Sequence, residues 1–421
     1  MDIDFKKASF KDFEDPAGLD AYQRAVYFNE FLGYLEDEGR LNYRFETCSS
    51  AGPEVELNIP ALGGRGKYIS LVSNDYLGFS QHPLVKKAAI SGIEHFGTGT
   101  GASPAIGGHF SFHRELEEKI AAFFQRESAI IYTTGYTANS ASLMALIGRE
   151  DLVITDMKIH ASMFEGCRGK NQKTFRHNDM EHLELILKDA RVKYRTRFVV
   201  VDGVYSQDGD LAKLDELVKL VHRYESYVIM DDAHGVGVIG KTGRGVIEPG
   251  GLYQQVDIIT GTFSKTFGHL GGYVVASPEL IRFFKFQSRQ HLFSVTATPA
   301  SMGILKAIEL IDEEPQWKDR LWKNVNQFTS GLRSIGLDIG NTASAIIPVK
   351  IGDMALTAEV SGRLLRAGVY ANPIMYPAVS KKDTRIRMSL MATHTQQQID
   401  KVLNVFEELA RDLPIRRGTG V

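Results

Sequence analysis

Lys265 is the residue of this 421-residue chain whose setting most invites chemistry. It lies in Gly261-Thr262-Phe263-Ser264-Lys265-Thr266-Phe267-Gly268, after the apolar run Val256–Thr260 and before Gly271-Gly272-Tyr273-Val274-Val275-Ala276. Both flanks read as buried strands. Burial lowers a lysine pKa and makes its amine a usable nucleophile, which is what a Schiff-base lysine needs. Thr262 and Ser264 place hydroxyls where a phosphate could be held, and Gly268, Gly271 and Gly272 let the backbone approach a ligand. The competing reading is a surface turn with an incidental lysine. Asp231 closes another apolar run, in Asp231-Asp232-Ala233-His234. A carboxylate at a buried strand end needs a cationic partner. A protonated ring nitrogen would serve, and holding that proton keeps the ring an electron sink. Capping the next turn is the plainer alternative. His234 could bond an oxygen of the same ring and His160 could stack on its face, or either could be structural. Metal binding finds no cysteine cluster to support it.

Elements of one kind position these residues. Ser128–Tyr132, Leu152–Thr155, Lys173–Arg176, Arg197–Val201 and Tyr227–Met230 read as strands. They alternate with helices at about 112–124, after Asn139, from His160, at Met180–Lys188 and at Leu214–Tyr224. Buried β-branched runs alternating with amphipathic helices predict a mostly parallel sheet covered on both faces. Ligands of such sheets lie beyond the carboxyl ends of the strands. His160, Ser206, Asp231, His234 and Lys265 all fall at or just after such ends. Thr133-Thr134-Gly135-Tyr136 leads from a strand into a helix, an anion site made of free N–H groups and a helix dipole. No Gly-Lys-Ser/Thr follows, so it is not a P-loop. Gly97–Gly108 is a glycine-rich loop, either flexible or close to a ligand.

After Ala297 the pattern changes to long helices at about 298–313 and 316–335, then a strand Ala345–Ile351, a helix Ala355–Ala367, strands Val369–Ala371 and Thr384–Met391, and a helix Gln396–Ala410. This order predicts a small α+β domain at 298–421, behind a large domain at 61–297 and an N-terminal arm at 1–60. The arm carries a helix over 19–41 and two short strands around the loop Pro60–Gly66; the tail Arg416–Val421 is expected to fray. Arg385 and Arg387 alternate onto one strand face and together could grip an anion. A net charge of -2 without charge blocks speaks against a nucleic-acid surface. Two cysteines, Cys48 and Cys167, fit a reducing compartment, and neither a signal peptide nor an 18-residue apolar span is present. A cytoplasmic enzyme is expected, with room for transient membrane contact.

Taken together, the motifs around Asp231 and Lys265 resemble those of the α-oxoamine synthases, enzymes of fold type I that depend on pyridoxal 5′-phosphate. The likeness runs from about Tyr68 to Leu409 and takes in Ser73-Asn74-Asp75-Tyr76-Leu77-Gly78, His160-Ala161-Ser162, Arg176-His177-Asn178-Asp179, Gly203-Val204-Tyr205-Ser206 and Arg385-Ile386-Arg387. It implies a seven-stranded, mostly parallel sheet in the large domain. It also implies that Lys265 carries the cofactor as a Schiff base, Asp231 pairs with its ring nitrogen, His234 and Ser206 contact the ring oxygen, and His160 stacks on the ring. Gly135, Tyr136, Thr262 and Ser264 would hold the phosphate. Ser294 and Thr296 match a segment that reaches the phosphate of a partner subunit, as in a homodimer with composite sites. Asn74 and Arg387 match positions that address the acidic group of the substrate. The implied reaction is decarboxylative condensation of a small amino acid with the acyl thioester of coenzyme A or acyl carrier protein. Gly-Thr-Phe-Ser-Lys looks most like serine palmitoyltransferase, which points to serine and a long acyl chain. Cysteate acyltransferases, 8-amino-7-oxononanoate synthases and glycine C-acetyltransferases are the alternatives. One departure stands out: many members have an arginine in the glycine-rich loop, where Ser103-Pro104-Ala105 has none.

Overall fold

Strands that are apolar at nearly every position need cover on both faces, and this chain supplies it by alternation. In the computed structural model, which describes residues 3–415 and Gly418, Ile130, Val153, Val200, Ile229, Ile258 and Val274 pack into one core. Their chain neighbours Ile131, Ile154, Val201, Met230, Ile259 and Val275 pack into another, on the opposite face. The first core is covered by helices Gly135–Leu146 and Pro278–Gln287. The second is covered by helices that include Ser111–Phe123, Met180–Ala190, Leu214–Arg223 and Met302–Glu313.

The sheet has seven strands, in the order Ser128–Tyr132, Gly272–Ala276, Ile258–Thr262, Tyr227–Asp231, Arg197–Asp202, Leu152–Asp156, Asn171–Phe175. All run parallel except Gly272–Ala276, which is antiparallel to both neighbours. Register sets Asp202 opposite Asp231, and Asp231 opposite Thr260. The polar ends of several strands therefore finish level, at one edge of the sheet.

A three-stranded sheet of Ile346–Lys350, Arg385–Ser389 and Asn372–Ile374 stands beside this edge. The arm helix spans Ala21–Asp37, capped by Asp20, whose side chain accepts from the N–H groups of Tyr22 and Gln23. It buries Phe31 and Leu35, with Phe31 stacked on Phe13 at 4.7 Å.

Several expectations need correction. The stretch 42–72 holds three strands, Glu46–Thr47, Glu54–Ile59 and Gly64–Ser70, because Gly63 and Gly64 adopt positive φ and close the hairpin early. Helices Pro278–Gln287 and Arg289–Phe293 occupy a stretch not read as helical. The helix expected from 298 begins at Met302, after a short turn at Pro299–Ser301. Val369–Tyr370 leaves its expected neighbours and pairs in parallel with Gly64–Ser70. The expectation for the tail falls outside the described residues, apart from Gly418.

Candidate active site

The level strand ends enclose a cavity of about 260 Å³ lined by Thr134, Gly135, Tyr136, His160, Asp231, His234, Thr262, Ser264 and Lys265 among others. One end suits an anion. Helix Gly135–Leu146 starts there, with Thr134 as its cap accepting from the Thr137 N–H. Thr262 Oγ1 lies 2.7 Å from Ser264 Oγ, so two hydroxyls join the free N–H groups. A Cβ on Gly135 would stand 2.6 Å from the Thr262 Cβ, so only glycine lets the helix start this close to the strand end.

The other end is a carboxylate. Asp231 Oδ2 accepts from Asn139 Nδ2 at 2.6 Å and Oδ1 accepts from the Ala233 N–H at 2.9 Å. Its neighbour Asp232 points away, accepting from the Val246 N–H at 2.8 Å, and burial pushes its pKa up to about 7. Lys265 lies between the two ends, its side chain partly open to the cavity. Desolvation lowers its amine to about pKa 8, against the opposing pull of Asp231. His234 is buried beside Lys265 and Arg387, and that burial with those cations holds it well below its ordinary pKa. His160 caps the short helix Ala161–Gly166, and burial lowers its pKa too.

Arg387 comes from the three-stranded sheet close enough to lower the His234 and Lys265 pKa values, but neither it nor Asn74 lines the cavity. Its Nε donates to the Ser206 carbonyl at 2.6 Å, Nη1 to Ser389 Oγ at 3.1 Å and Nη2 to Asn74 Oδ1 at 3.2 Å. No carboxylate pairs with it among the described residues. The two-arginine grip fails. Arg385 is fully buried against Asp208 and Asp383, and its Nη1 also bonds the Gln207 carbonyl at 3.1 Å. A buried guanidinium has to be paired, and these carboxylates pair it.

Ser206 meets Arg387 through its carbonyl, and its hydroxyl is not part of the cavity lining. Ser294 and Thr296 lie outside the cavity of their own chain. Ser294 is exposed, and Thr296 is buried near His113 at 3.5 Å. Sequence reasoning passed over Asn139, Ser162, Asp202 and Tyr76. Asp202 is the level neighbour of Asp231, accepts from the His160 N–H at 3.2 Å, and is held well above its usual pKa by burial and Asp231. Its signal was present: it ends an apolar strand as Asp231 does. His109 and His113 have i, i+4 spacing, but His113 Nε2 lies 2.8 Å from the Ala297 carbonyl. No group of three potential metal ligands occurs among the described residues.

An anion cradle, a carboxylate and a partly neutral lysine between them fit one kind of group: a phosphorylated aldehyde on a protonated aromatic ring, which is pyridoxal 5′-phosphate. Gly135 brings the helix N-terminus against Thr262, so the free N–H groups and the Thr262 and Ser264 hydroxyls face one end of the cavity together.

Comparison with known proteins agrees. Residues 66–406 match the model of the class I and II aminotransferases. An 8-amino-7-oxononanoate synthase of Thermoanaerobacter pseudethanolicus is 40% identical over 350 residues, 82% of this chain and 89% of the relative. The 8-amino-7-oxononanoate synthase 1 of Bacillus subtilis is 39% identical over 370 residues, 87% of this chain and 93% of the relative. Among solved structures, a serine palmitoyltransferase variant from S. paucimobilis with bound PLP-myriocin superposes with a TM-score of 0.87 at 31% identity, covering 93% of this chain and 99% of that one.

Proposed function

The chain belongs to the class I and II aminotransferase family, in its α-oxoamine synthase branch, and from that premise we propose its reaction: an amino acid and an acyl thioester become an α-aminoketone, carbon dioxide and a thiol. It is a pyridoxal-phosphate-dependent enzyme of fold type I. The cofactor, when bound, withdraws the electron pair left on the amino-acid α-carbon. Thr262, Ser264 and the N–H groups from Gly135 hold its phosphate. Asp231 would hold the proton on its ring nitrogen, His234 would address its ring oxygen and His160 would lie against its face, while Ser206, whose hydroxyl is outside the cavity lining, serves Arg387 through its carbonyl. Lys265, with an amine near pKa 8, takes the α-proton and returns one to the product. Arg387, with Asn74 beside it, holds the α-carboxylate until it leaves as carbon dioxide.

One observation separates the substrate pairs. A second, mostly apolar cavity of about 420 Å³ lies between the arm and the segment Pro373–Ala378, with walls that include Phe10, Phe31, Leu35 and Met375. Arg40 lines it and makes no ion pair among the described residues. Asn372 pairs with Arg387 and is followed by Pro373 in this cavity wall, so one wall of the cavity comes from the strand next to that of Arg387. An acyl chain ending in a carboxylate matches apolar walls plus one unpaired guanidinium. The product named for the relatives is such a case. Cutting 8-amino-7-oxononanoate between its amine-bearing and ketone carbons gives alanine and an acyl group with a terminal carboxylate. This pair is the first reading. Serine with a long plain acyl chain is the second, favoured by the Gly261–Lys265 motif, the similarity to serine palmitoyltransferase and the apolar walls.

Carbon dioxide release decides between them when alanine, serine, glycine and cysteate are crossed with ω-carboxyacyl and long plain acyl thioesters of coenzyme A and acyl carrier protein. Release with the alanine and ω-carboxyacyl pair is expected. Release only with serine and the long chain selects the second reading, and no release with any thioester sinks the decarboxylative condensation. Two copies complete each site in this reading. Ser294 is exposed and outside the cavity of its own chain, and Phe293 and Val295 beside it are 69% and 41% exposed, whereas Thr296 is buried against His113. Sedimentation is expected to give twice the chain mass.

A further inference from the structure

Hydrogen-bond donors around the two cavity histidines leave one proton arrangement for each. His160 Nδ1 faces the N–H of Ser162 at 3.3 Å and its hydroxyl at 2.7 Å. A backbone N–H can only donate, so Nδ1 accepts and the ring proton lies on Nε2. The Ser162 hydroxyl in turn accepts from Asn139 Nδ2 at 2.9 Å, the same amide that donates to Asp231.

His234 is reached from the other side. Its Nδ1 lies 2.6 Å from the Tyr76 hydroxyl, which is fully buried. Tyr76 has one proton and its close acceptor is His234 Nδ1; the Ser389 hydroxyl, already accepting from Arg387 Nη1, is outside the close contacts, and the remaining candidate is Asn74 Oδ1 at 3.4 Å. That oxygen already accepts from Arg387 Nη2 at 3.2 Å and Ser389 Oγ at 3.0 Å, which fills both of its lone pairs. The Tyr76 proton therefore goes to His234, and the His234 ring proton also lies on Nε2. Burial keeps the Tyr76 hydroxyl protonated, with a pKa near 12, so the donor persists at working pH.

We propose that Ser162 and Tyr76 are positioning residues that lock His160 and His234 as Nε2–H tautomers, so that both rings offer donors, and neither an acceptor, on the side away from their relays. The first relay ends on Asp231; in the second the Tyr76 oxygen faces the Arg387 guanidinium, which can only donate to it. The ring-face histidine is thus tied to the group that holds the ring nitrogen, and the ring-oxygen histidine to the group that holds the amino acid. The inference rests on the cavity taking pyridoxal phosphate, as read above, and it holds for either acyl chain.

The test is long-range ¹H–¹⁵N correlation spectroscopy of the full chain labelled at its 12 histidines, cofactor-free and loaded with pyridoxal phosphate. His160→Gln and His234→Asn assign the two rings. The expected spectra show the proton on Nε2 in both rings of the wild type. Tyr76→Phe should release His234 into mixed tautomers and leave His160 unchanged; Ser162→Ala should disturb His160 and leave His234 unchanged. Tyr76→Phe is also expected to weaken cofactor binding about tenfold. A wild-type His234 with its proton on Nδ1, or a Tyr76→Phe spectrum identical to wild type, overturns the proposal. The wild-type spectrum does so without any variant having to fold. Failure of the cofactor reading is separately visible, as a protein whose visible absorbance does not change when pyridoxal phosphate is added.

Discussion

The two cavities differ in how their polar groups are satisfied. In the sheet-end cavity the acid and both histidines are held on one side by a named neighbour, Asp231 by Asn139, His160 by Ser162 and His234 by Tyr76, which leaves their other sides to a ligand. In the arm cavity a single guanidinium stands among apolar walls. The first is pre-organised for one ligand, because its dipoles are fixed before anything binds. The second presents shape and one charge, which is how a site sorts acyl chains by length and ending. If the arm cavity takes the acyl chain as proposed, chemistry and specificity are separated in space, and each can be altered without the other.

Substitutions can test that separation, starting with the largest effect. Lys265→Ala should keep the cofactor non-covalently and lose about 10³-fold or more in turnover, seen as release of carbon dioxide. Its retention of normal turnover would mean another base serves. Asp231→Asn should cost about 10²-fold or more in rate, or ~3 kcal/mol, for every acyl donor alike. Arg387→Ala should raise the amino-acid KM by roughly 30- to 1000-fold with the cofactor spectrum unchanged. Arg40→Gln should raise KM about tenfold for an ω-carboxyacyl thioester and leave a plain chain of equal length unaffected. An equal effect on both chains would join the two cavities into one functional unit and break the comparison.

The last prediction concerns pH. Lys265 is lowered from 10.5 to about 8, so in the cofactor-free protein the folded state binds fewer protons than the unfolded state between those values. The penalty for its charge is full below pH 8 and vanishes above 10.5, so its contribution makes stability rise with pH across that window. Capture of added pyridoxal phosphate needs the neutral amine. Its rate, followed by visible absorbance, should rise about tenfold from pH 7 to a plateau above ~9. A flat profile would mean the amine is already neutral at pH 7.

The chemistry was far more legible in the chain than the specificity, and for a physical reason. Asp231, His160 and Lys265 each follow a short apolar run, and a parallel sheet brings the ends of such runs together whatever the loops do. The same rule applied to Asp202 and would have found it. Arg385 and Arg387 share a strand face, and alternation cannot tell a buried ion pair from a substrate contact; Asp383, two residues before Arg385, and Asp208, from elsewhere in the chain, make that difference. The arm cavity draws on residues 8–10, 31–43, 354 and 373–378, whose approach depends on packing with no local signature. The helices Pro278–Gln287 and Arg289–Phe293 were missed although Ser277 and Pro278 mark a helix start, and the additional strand in 42–72 was missed because the turn at Gly63 and Gly64 closes the hairpin early.

The pairing of Val369–Tyr370 with Gly64–Ser70 carries a consequence for the chain as it is made. Tyr370 follows its partner Ser70 by 300 residues. At ~5–20 residues per second, synthesis leaves that strand edge waiting for roughly 15–60 s before its neighbour exists. A bare edge recruits strands from other nascent chains, and charge is the usual protection. Arg65 and Lys67 stand exposed on this strand, facing Glu56 and Glu54 of the hairpin, which is already complete at that stage. In the finished enzyme these surface pairs add little; on the ribosome they guard the vacancy.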